Sequence, residues 1–147
     1  MTAPRMSSEA LHASTVAIDG RAVLISGPSG SGKSDLALRL LDRGFTLVSD
    51  DQTLVRRVGD QLVASPPPTI AGKLEIRGIG IVEMENLTDI PIALLVELRS
   101  DVERMPEDNR ERPILGVPLP LVSIDGAAAS APSKVAIALD RMGLQLK

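Results

Sequence analysis

Cysteine, tryptophan and tyrosine are absent from this chain of 147 residues. Without cysteine, disulfide bonds, thiolate catalysis and cysteine-ligated zinc are excluded, and a reducing compartment is compatible with the composition. Phe45 is the single phenylalanine. A nucleotide-binding site built from stacked aromatic rings is therefore not expected.

The chain also lacks long runs of like-charged residues and long apolar runs. The net charge is −3 and Lys and Arg form no extended cluster, so we do not expect nucleic acid as a partner. The first 14 residues contain no apolar run like that of a secretory signal, and no segment approaches the roughly 18 apolar residues of a membrane span. The composition predicts a cytoplasmic protein with no membrane partner.

The length and the 44% hydrophobic content are those of one domain with its own core. We predict a single catalytic domain over residues 1–147, with residues 1–10 flexible. Two apolar stretches flank Asp19-Gly20, a dipeptide typical of a tight hairpin. An amphipathic helix is predicted from Lys33 to Arg43, ending at Gly44.

The remainder of the pattern mixes strands with one more helix. We predict a short strand at 45–49, a hairpin turning at Gly59-Asp60, a loop at 65–68, a strand over 91–98, an exposed loop over 99–112, a strand region at 113–125 and a helix beginning at Pro132-Ser133. The fold class predicted is α/β, with a mixed, twisted β-sheet.

One motif carries a specific chemical meaning. "GPSGSGKS" satisfies G-x-x-x-x-G-K-[ST], and it follows an apolar strand and precedes a helix, which is the context that a phosphate-binding loop requires. Glycines let successive N–H groups point inward, and the helix N-terminus adds partial positive charge. The nucleotide-binding residues predicted are Gly27, Pro28, Ser29, Gly30, Ser31, Gly32, Lys33 and Ser34, with Lys33 on the phosphates and Ser34 on Mg²⁺.

Asp50 and Asp51 follow the strand "TLVS". Ligands bind at the carboxyl ends of strands in α/β folds, so one carboxylate can approach the phosphates and Mg²⁺ while its neighbour, on the opposite face of an extended chain, bonds to the scaffold. An ordinary surface turn is the alternative, and position alone does not separate the two. No guanine-reading NKxD motif is present, which disfavours a GTPase.

Three segments in this order, "GPSGSGKSDLALRLLDRG", "LVSDD" and "LEIRGIGI", resemble the HPr kinase/phosphorylase family. The segment "EIRGIGI" over 75–81 is the most specific of the three, because it is not a general feature of phosphate loops. His12, 15 residues before Gly27, matches a histidine of that family. The resemblance covers about 11–123, and it implies a short form that consists of the catalytic domain alone.

The resemblance implies an ATP- and Mg²⁺-dependent kinase that acts on a serine of the carrier protein HPr, with phosphorylase activity on phospho-Ser-HPr as a second expected reaction. It assigns catalytic roles to Asp51, with Asp50 beside it, as general base. His12 would tune the nearby aspartate, Arg77 would offset phosphate charge, and Glu75 would join Ser34 in binding the metal. From the residues alone, an isolated histidine such as His12 is more often structural or exposed, and Glu75 and Arg77 could form an ordinary surface ion pair.

Two departures from the family leave questions open. Asp35 stands where a glutamate is usual, which keeps a negative charge in the first helical turn. An arginine-containing segment expected after the last strand is replaced by "DGAAASAPSK", which puts partner affinity, the reverse reaction and the family's hexamer in question. Arg110 or Arg112 could substitute. A non-catalytic ATP-sensing module and a small-molecule kinase remain as alternative functions.

Overall fold

A computed structural model describes residues 7–146. Eleven strands and two α-helices follow one another in these residues. In chain order they are β1 Ser8–Leu11, β2 Ala13–Ile18, β3 Arg21–Ser26, α1 Lys33–Leu41, β4 Thr46–Ser49, β5 Thr53–Val58, β6 Gln61–Ser65, a 3₁₀ helix Pro68–Ile70, β7 Lys73–Ile76, β8 Gly80–Glu83, β9 Ile90–Leu98, β10 Glu111–Ile114, β11 Val117–Ile124 and α2 Ala131–Met142.

Nine of the strands form one mixed sheet, in which β9 is the central member. β9 runs parallel to β3 on one side and to β11 through Leu95–Leu98, while its first residues pair antiparallel with β6. β2 lies between β3 and β4, and β5 joins β6 to β1. Strands β7 and β8 form a separate two-stranded hairpin. The parallel strands β3, β9 and β11 all end at the same edge, where the phosphate loop begins.

The core fills both faces of the sheet, which explains why the central strands are continuous apolar runs. In β3, Val23 and Ile25 pack toward α1 and α2, whereas Ala22 and Leu24 pack against the opposite cluster, which includes Val55 and Leu119. Helix α1 contributes its buried stripe of Leu36, Ala37 and Leu40 to the first cluster. Apolar packing therefore holds in place both β3 and α1, the two elements that the loop connects.

The predicted α/β class with a mixed sheet is confirmed, and several details differ. Helix α1 ends at Leu41, two residues earlier than predicted, because Asp42 already caps it and Gly44 turns the chain with φ 92°. Residues 8–10, predicted to be flexible, lie in β1, where they pair with β5; residues 1–6 lie outside the described part of the chain.

Two more corrections concern the segment after β9. The end of the predicted loop, residues 111–112, belongs to β10, and the single predicted strand region is a hairpin of β10 and β11. Leu115 and Gly116 form its turn with φ 50° and 79°. A leucine at a left-handed position is uncommon, so this turn does not have one of the dipeptides that ordinarily predict a hairpin.

The packing of β9 generates a stability prediction. Leu94→Ala removes a fully buried side chain between the sheet and the helices, and we expect it to lower the free energy of unfolding by about 2–5 kcal/mol. Ile137→Ala, at an exposed position of α2, should change it by no more than about 0.5 kcal/mol. Urea unfolding of both variants checks this, and equal losses would contradict the assigned core.

Candidate active site

The phosphate loop joins β3 to α1 with the geometry that anion binding requires. Gly30 and Gly32 adopt φ of 80° and 96°, and Gly32 caps α1 without a side-chain hydrogen bond. The first N–H groups of α1 therefore point into the loop. Lys33 is 6% exposed, and its ammonium donates to the carbonyls of Gly27 at 2.9 Å and Pro28 at 3.2 Å. These bonds hold the positive charge against the loop.

The remaining loop residues have different surroundings. Pro28, Ser29 and Gly30 are exposed at the outside of the loop. Gly27 is required by close packing, since a Cβ there would lie 2.6 Å from Ser31 Oγ and 3.2 Å from Leu98 Cβ. Within residues 7–146 the buried Ser31 hydroxyl has no hydrogen-bond partner. The inner side of the loop therefore leaves one polar group available.

Asp50 is a buried carboxylate that joins three parts of the fold. It is 6% exposed, and its Oδ1 accepts hydrogen bonds from Ser34 Oγ at 2.6 Å and from Ser14 Oγ at 2.9 Å. Its Oδ2 accepts from the backbone N–H of Glu75 at 3.2 Å. A buried charge needs such donors. Asp50 thus links the phosphate loop to β2 and to the β7–β8 hairpin.

Asp51 lies on the solvent side of the same turn. Its side chain is 67% exposed, and its Oδ1 lies 2.8 Å from Nε2 of His12, whose side chain is 49% exposed. The two aspartates do face different ways, but not because the chain is extended: Asp51 has φ 66°. Aspartate tolerates this left-handed conformation better than most residues. The structure brings His12 and Asp51 together as an accessible pair.

Hydrogen bonds beneath the turn hold it in place. Ser14 Oγ, which donates to Asp50, also accepts from the backbone N–H of Asp51 at 3.1 Å. The buried hydroxyls of Thr15 and Thr53 lie 2.8 Å apart, and Thr53 donates to the carbonyl of Ala13 at 2.9 Å. Sequence reasoning missed Ser14, because a serine within a strand carries no signal until its cross-strand neighbour is known.

Glu75 and Arg77 belong to the β7–β8 hairpin, and both are exposed. Glu75 reaches Asp50 through its backbone N–H. At the base of the hairpin the backbone of Gly72 packs closely against that of Met84, since a Cβ at Gly72 would lie 2.7 Å from the Met84 carbonyl oxygen. Ile79 and Ile81, also on the hairpin, are 76% and 69% exposed. The hairpin therefore presents polar and apolar side chains beside the aspartate pair.

The donors at the loop fit a magnesium nucleotide. Ser34 Oγ and Asp50 Oδ1, 2.6 Å apart, are hard oxygen donors of the kind that Mg²⁺ prefers. Residues 7–146 contain no group of three or more histidine, aspartate or glutamate side chains that could hold a metal. Mg²⁺ bound with a nucleotide takes most of its ligands from water and substrate phosphates, so a pair of protein oxygens suffices.

The segment that departs from the expected arginine-containing sequence packs on the loop. A Cβ at Gly126 would lie 3.3 Å from the carbonyl oxygen of Ser31 and 3.2 Å from Leu98 Cδ1. Arg39 of α1 donates to the carbonyls of Gly126 and Ala128. This segment is tied to α1 by an arginine of the helix, and its own residues contribute small side chains.

A further group of charges lies where β9 ends. Glu97 bonds to Arg112 and, at 3.3 Å, to Arg99; Arg99 also forms a forked pair with Asp101 at 3.0 and 3.1 Å. Hydrogen bonding from Arg112 holds the pKa of Glu97 below its usual value; burial opposes this shift but is outweighed. The arginines thus keep Glu97 ionised. Sequence reasoning did not single out Glu97 or Arg99.

Comparison with known proteins decides the family. Residues 5–139 match the family model described as HPr Serine kinase C-terminal domain. The chain belongs to this family. The resemblance drawn from the three sequence segments is confirmed, and the α/β fold with its large mixed sheet is the one found in a solved member of the family.

Individual relatives show how far the similarity extends. The HPr kinase/phosphorylase of Chlorobium limicola is 39% identical over 127 residues, 77% of this chain and 38% of that protein. For Ralstonia nicotianae the figures are 36% over 140 residues, 87% and 42%. The Hpr(Ser) kinase/phosphatase structure from Coxiella burnetii matches with a TM-score of 0.77 and 30% identity, over 90% of this chain and 94% of that one.

The chain spans about two-fifths of the length of the curated relatives described above. Membership of the family indicates a phosphotransferase-type domain. No helix within residues 7–146 is both long enough and apolar enough to cross a membrane.

The pKa of Glu97 leads to a pH prediction. Because its folded value lies below the unfolded value of about 4.3, the ionised carboxylate stabilises the fold above that pH, and this contribution is lost as the pH falls through the folded pKa. Glu97→Gln should therefore lower the free energy of unfolding near neutral pH, and the gap to the parent should narrow as the pH falls below the unfolded value of about 4.3. Urea unfolding at several pH values measures it; a constant gap would contradict the assigned ion pairs.

Proposed function

We propose that this protein is an ATP- and Mg²⁺-dependent protein-serine kinase whose phospho-acceptor is HPr, with phosphorylase activity on phospho-Ser-HPr as a second reaction. The observation that carries the proposal is the pairing of Ser34 with buried Asp50, next to the exposed pair of Asp51 and His12. One aspartate is thus committed to the nucleotide side, and the other faces solvent, where a protein substrate can reach it.

The nucleotide would be held by the loop residues already described. Backbone N–H groups from Gly27 to Ser34 and the Lys33 ammonium would receive the phosphates, and Ser34 with Asp50 would hold Mg²⁺. When bound, Mg²⁺ neutralises charge on the phosphates and aligns them for transfer. Phosphoryl transfer depends mainly on such positioning and electrostatic stabilisation, so a preformed loop accounts for much of the catalysis.

Asp51 is the proposed general base. The serine oxygen of the acceptor bonds to the γ-phosphorus, the bond from that phosphorus to the β-bridging oxygen breaks, and the serine proton passes to Asp51. ADP leaves with the electron pair of the broken bond. In the phosphorylase reaction, an oxygen of inorganic phosphate would bond to the phosphorus of phosphoserine and the bond from that phosphorus to the serine oxygen would break. Protonated Asp51 would return the proton to the serine oxygen, and pyrophosphate would leave. His12, 2.8 Å away, would hold the Asp51 carboxylate in position.

Glu75 and Arg77 are proposed as secondary contributors. The exposed Arg77 would offset negative charge on the transferred phosphate. The Glu75 side chain is free to turn toward the metal, while its backbone N–H remains on Asp50. Their position on a projecting hairpin next to the aspartates supports these roles, and neither is needed to hold the fold.

Transfer to HPr tests the function directly. Purified protein, Mg²⁺ and ATP labelled on the γ-phosphate are incubated with HPr, and labelled phosphoserine on HPr is the expected product. Nucleotide binding without transfer to HPr or to any small molecule would identify an ATP-sensing module instead. Transfer to a small-molecule acceptor alone would identify a small-molecule kinase, and either result would overturn the proposal.

Asp51→Asn separates base catalysis from nucleotide binding. The exposed position of the side chain means that the change should spare ATP affinity, while single-turnover transfer to HPr falls by about 10²–10⁴-fold. Asp50→Asn is the matched control: it changes the buried acceptor of Ser34, so it should weaken magnesium-nucleotide binding as well. Transfer by Asp51→Asn at the parent rate would place the base elsewhere, with Asp50 the first alternative.

A further inference from the structure

A concavity of about 390 Å³ adjoins the first residues of the phosphate loop. It lies at the edge of the sheet where β3 and β9 end, since Ser26 and Glu97 are paired at the ends of these two strands. One wall is the start of the loop and the other is the end of β9 with one residue of β10. The residues that line it are Ser26, Gly27, Pro28, Glu97, Leu98, Arg99 and Arg112.

Two guanidinium groups on one wall converge on the same carboxylate. Arg99 bonds to one oxygen of Glu97 and Arg112 to the other. The Glu97 side chain is only 17% exposed, whereas those of Arg99 and Arg112 are 46% and 45% exposed. The carboxylate is thus the less exposed partner, and the half-exposed side chains of Arg99 and Arg112 line the concavity, with Arg99 also paired to Asp101. Arginine presents five N–H donors in a fixed fork that suits phosphate.

The wall that carries the two arginines lies close to the phosphate loop and to Lys33. Ser26 and Glu97 are direct neighbours in the parallel pairing of β3 with β9, and adjacent strands are about 4.8 Å apart. The Lys33 ammonium bonds to the carbonyls of Gly27 and Pro28, the same two residues that line the concavity. The Lys33 ammonium therefore lies on one side of this short piece of backbone, and on the other lie two guanidinium groups that are paired with Glu97 and Asp101.

We propose that Arg99 and Arg112 form an anion subsite that binds a phosphate group beside the phosphate loop. Glu97 is the residue that positions the two arginines. This inference rests on the proposed function. The phosphate is either the terminal phosphate of the nucleotide or a phosphate monoester on the acceptor. Arg110, the other arginine considered from the sequence, bonds to Ser123 at 3.2 Å. It lines a separate concavity, together with residues 102–103, 106–109, 111, 120–123, 141–142 and 144.

Calorimetry on the full chain distinguishes the two sources of phosphate. The probes are Mg²⁺ with a non-hydrolysable ATP analogue, Mg²⁺ with ADP, and inorganic phosphate added to protein saturated with ADP. If the subsite takes the terminal phosphate, Arg112→Ala should weaken the analogue by about tenfold and leave ADP unchanged. If it takes the acceptor's phosphate, both nucleotides should bind as in the parent, and inorganic phosphate should bind about tenfold more weakly.

Two further variants guard against a merely structural effect. Arg56→Ala removes a similarly exposed arginine of β5, which pairs with Asp89. This change should alter none of the three affinities. Glu97→Gln removes the competing negative charge but keeps an acceptor for the arginines, so binding of the affected probe should be unchanged or tighter.

The inference is overturned if Arg112→Ala binds all three probes as the parent does, or if it weakens ADP and the analogue equally. A loss in Glu97→Gln as large as that in Arg112→Ala would also overturn it, since the ion pairs would then act only through local structure. A parent protein that binds neither nucleotide would instead contradict the proposed function itself.

Discussion

The buried carboxylate of Asp50 is the interaction on which the rest of the site depends. A charge that is removed from water is costly unless hydrogen bonds replace the lost hydration. Asp50 receives three donors, Ser14, Ser34 and the N–H of Glu75, and each comes from a different element. One carboxylate therefore fixes the phosphate loop, strand β2 and the β7–β8 hairpin relative to one another.

The exposure of Asp51 follows from the burial of Asp50. Ser14 bonds to the side chain of Asp50 and to the backbone N–H of Asp51, so one hydroxyl determines where both aspartates lie. The chain then turns through a left-handed residue, and the Asp51 carboxylate emerges beside His12. Local strain of this kind persists only where the surroundings enforce it, and it concentrates at functional sites. Two adjacent residues of the same type thus acquire different surroundings, one buried and one exposed.

The sequence predicted those features that depend on local chemistry. The phosphate loop, helix α1 and the hairpins at Asp19-Gly20 and Gly59-Asp60 are set by glycine placement and apolar period, and all are present. Strand β1 was missed because its residues are exposed and polar, so only pairing with β5 makes it a strand. The link from Ser14 to Asp50 and the arginines on Glu97 depend on register between distant strands, which composition and spacing do not encode.

The most direct test of this account is a double-mutant cycle between Ser34→Ala and Asp50→Asn, read out as the Mg²⁺-dependent gain in ATP affinity. If Ser34 and Asp50 act as one unit, as their hydrogen bond of 2.6 Å indicates, each single variant should lose most of that gain and the double variant little more than either. Additive losses, or a full magnesium effect in Asp50→Asn, would show that Asp50 is not the residue that links the loop to the metal.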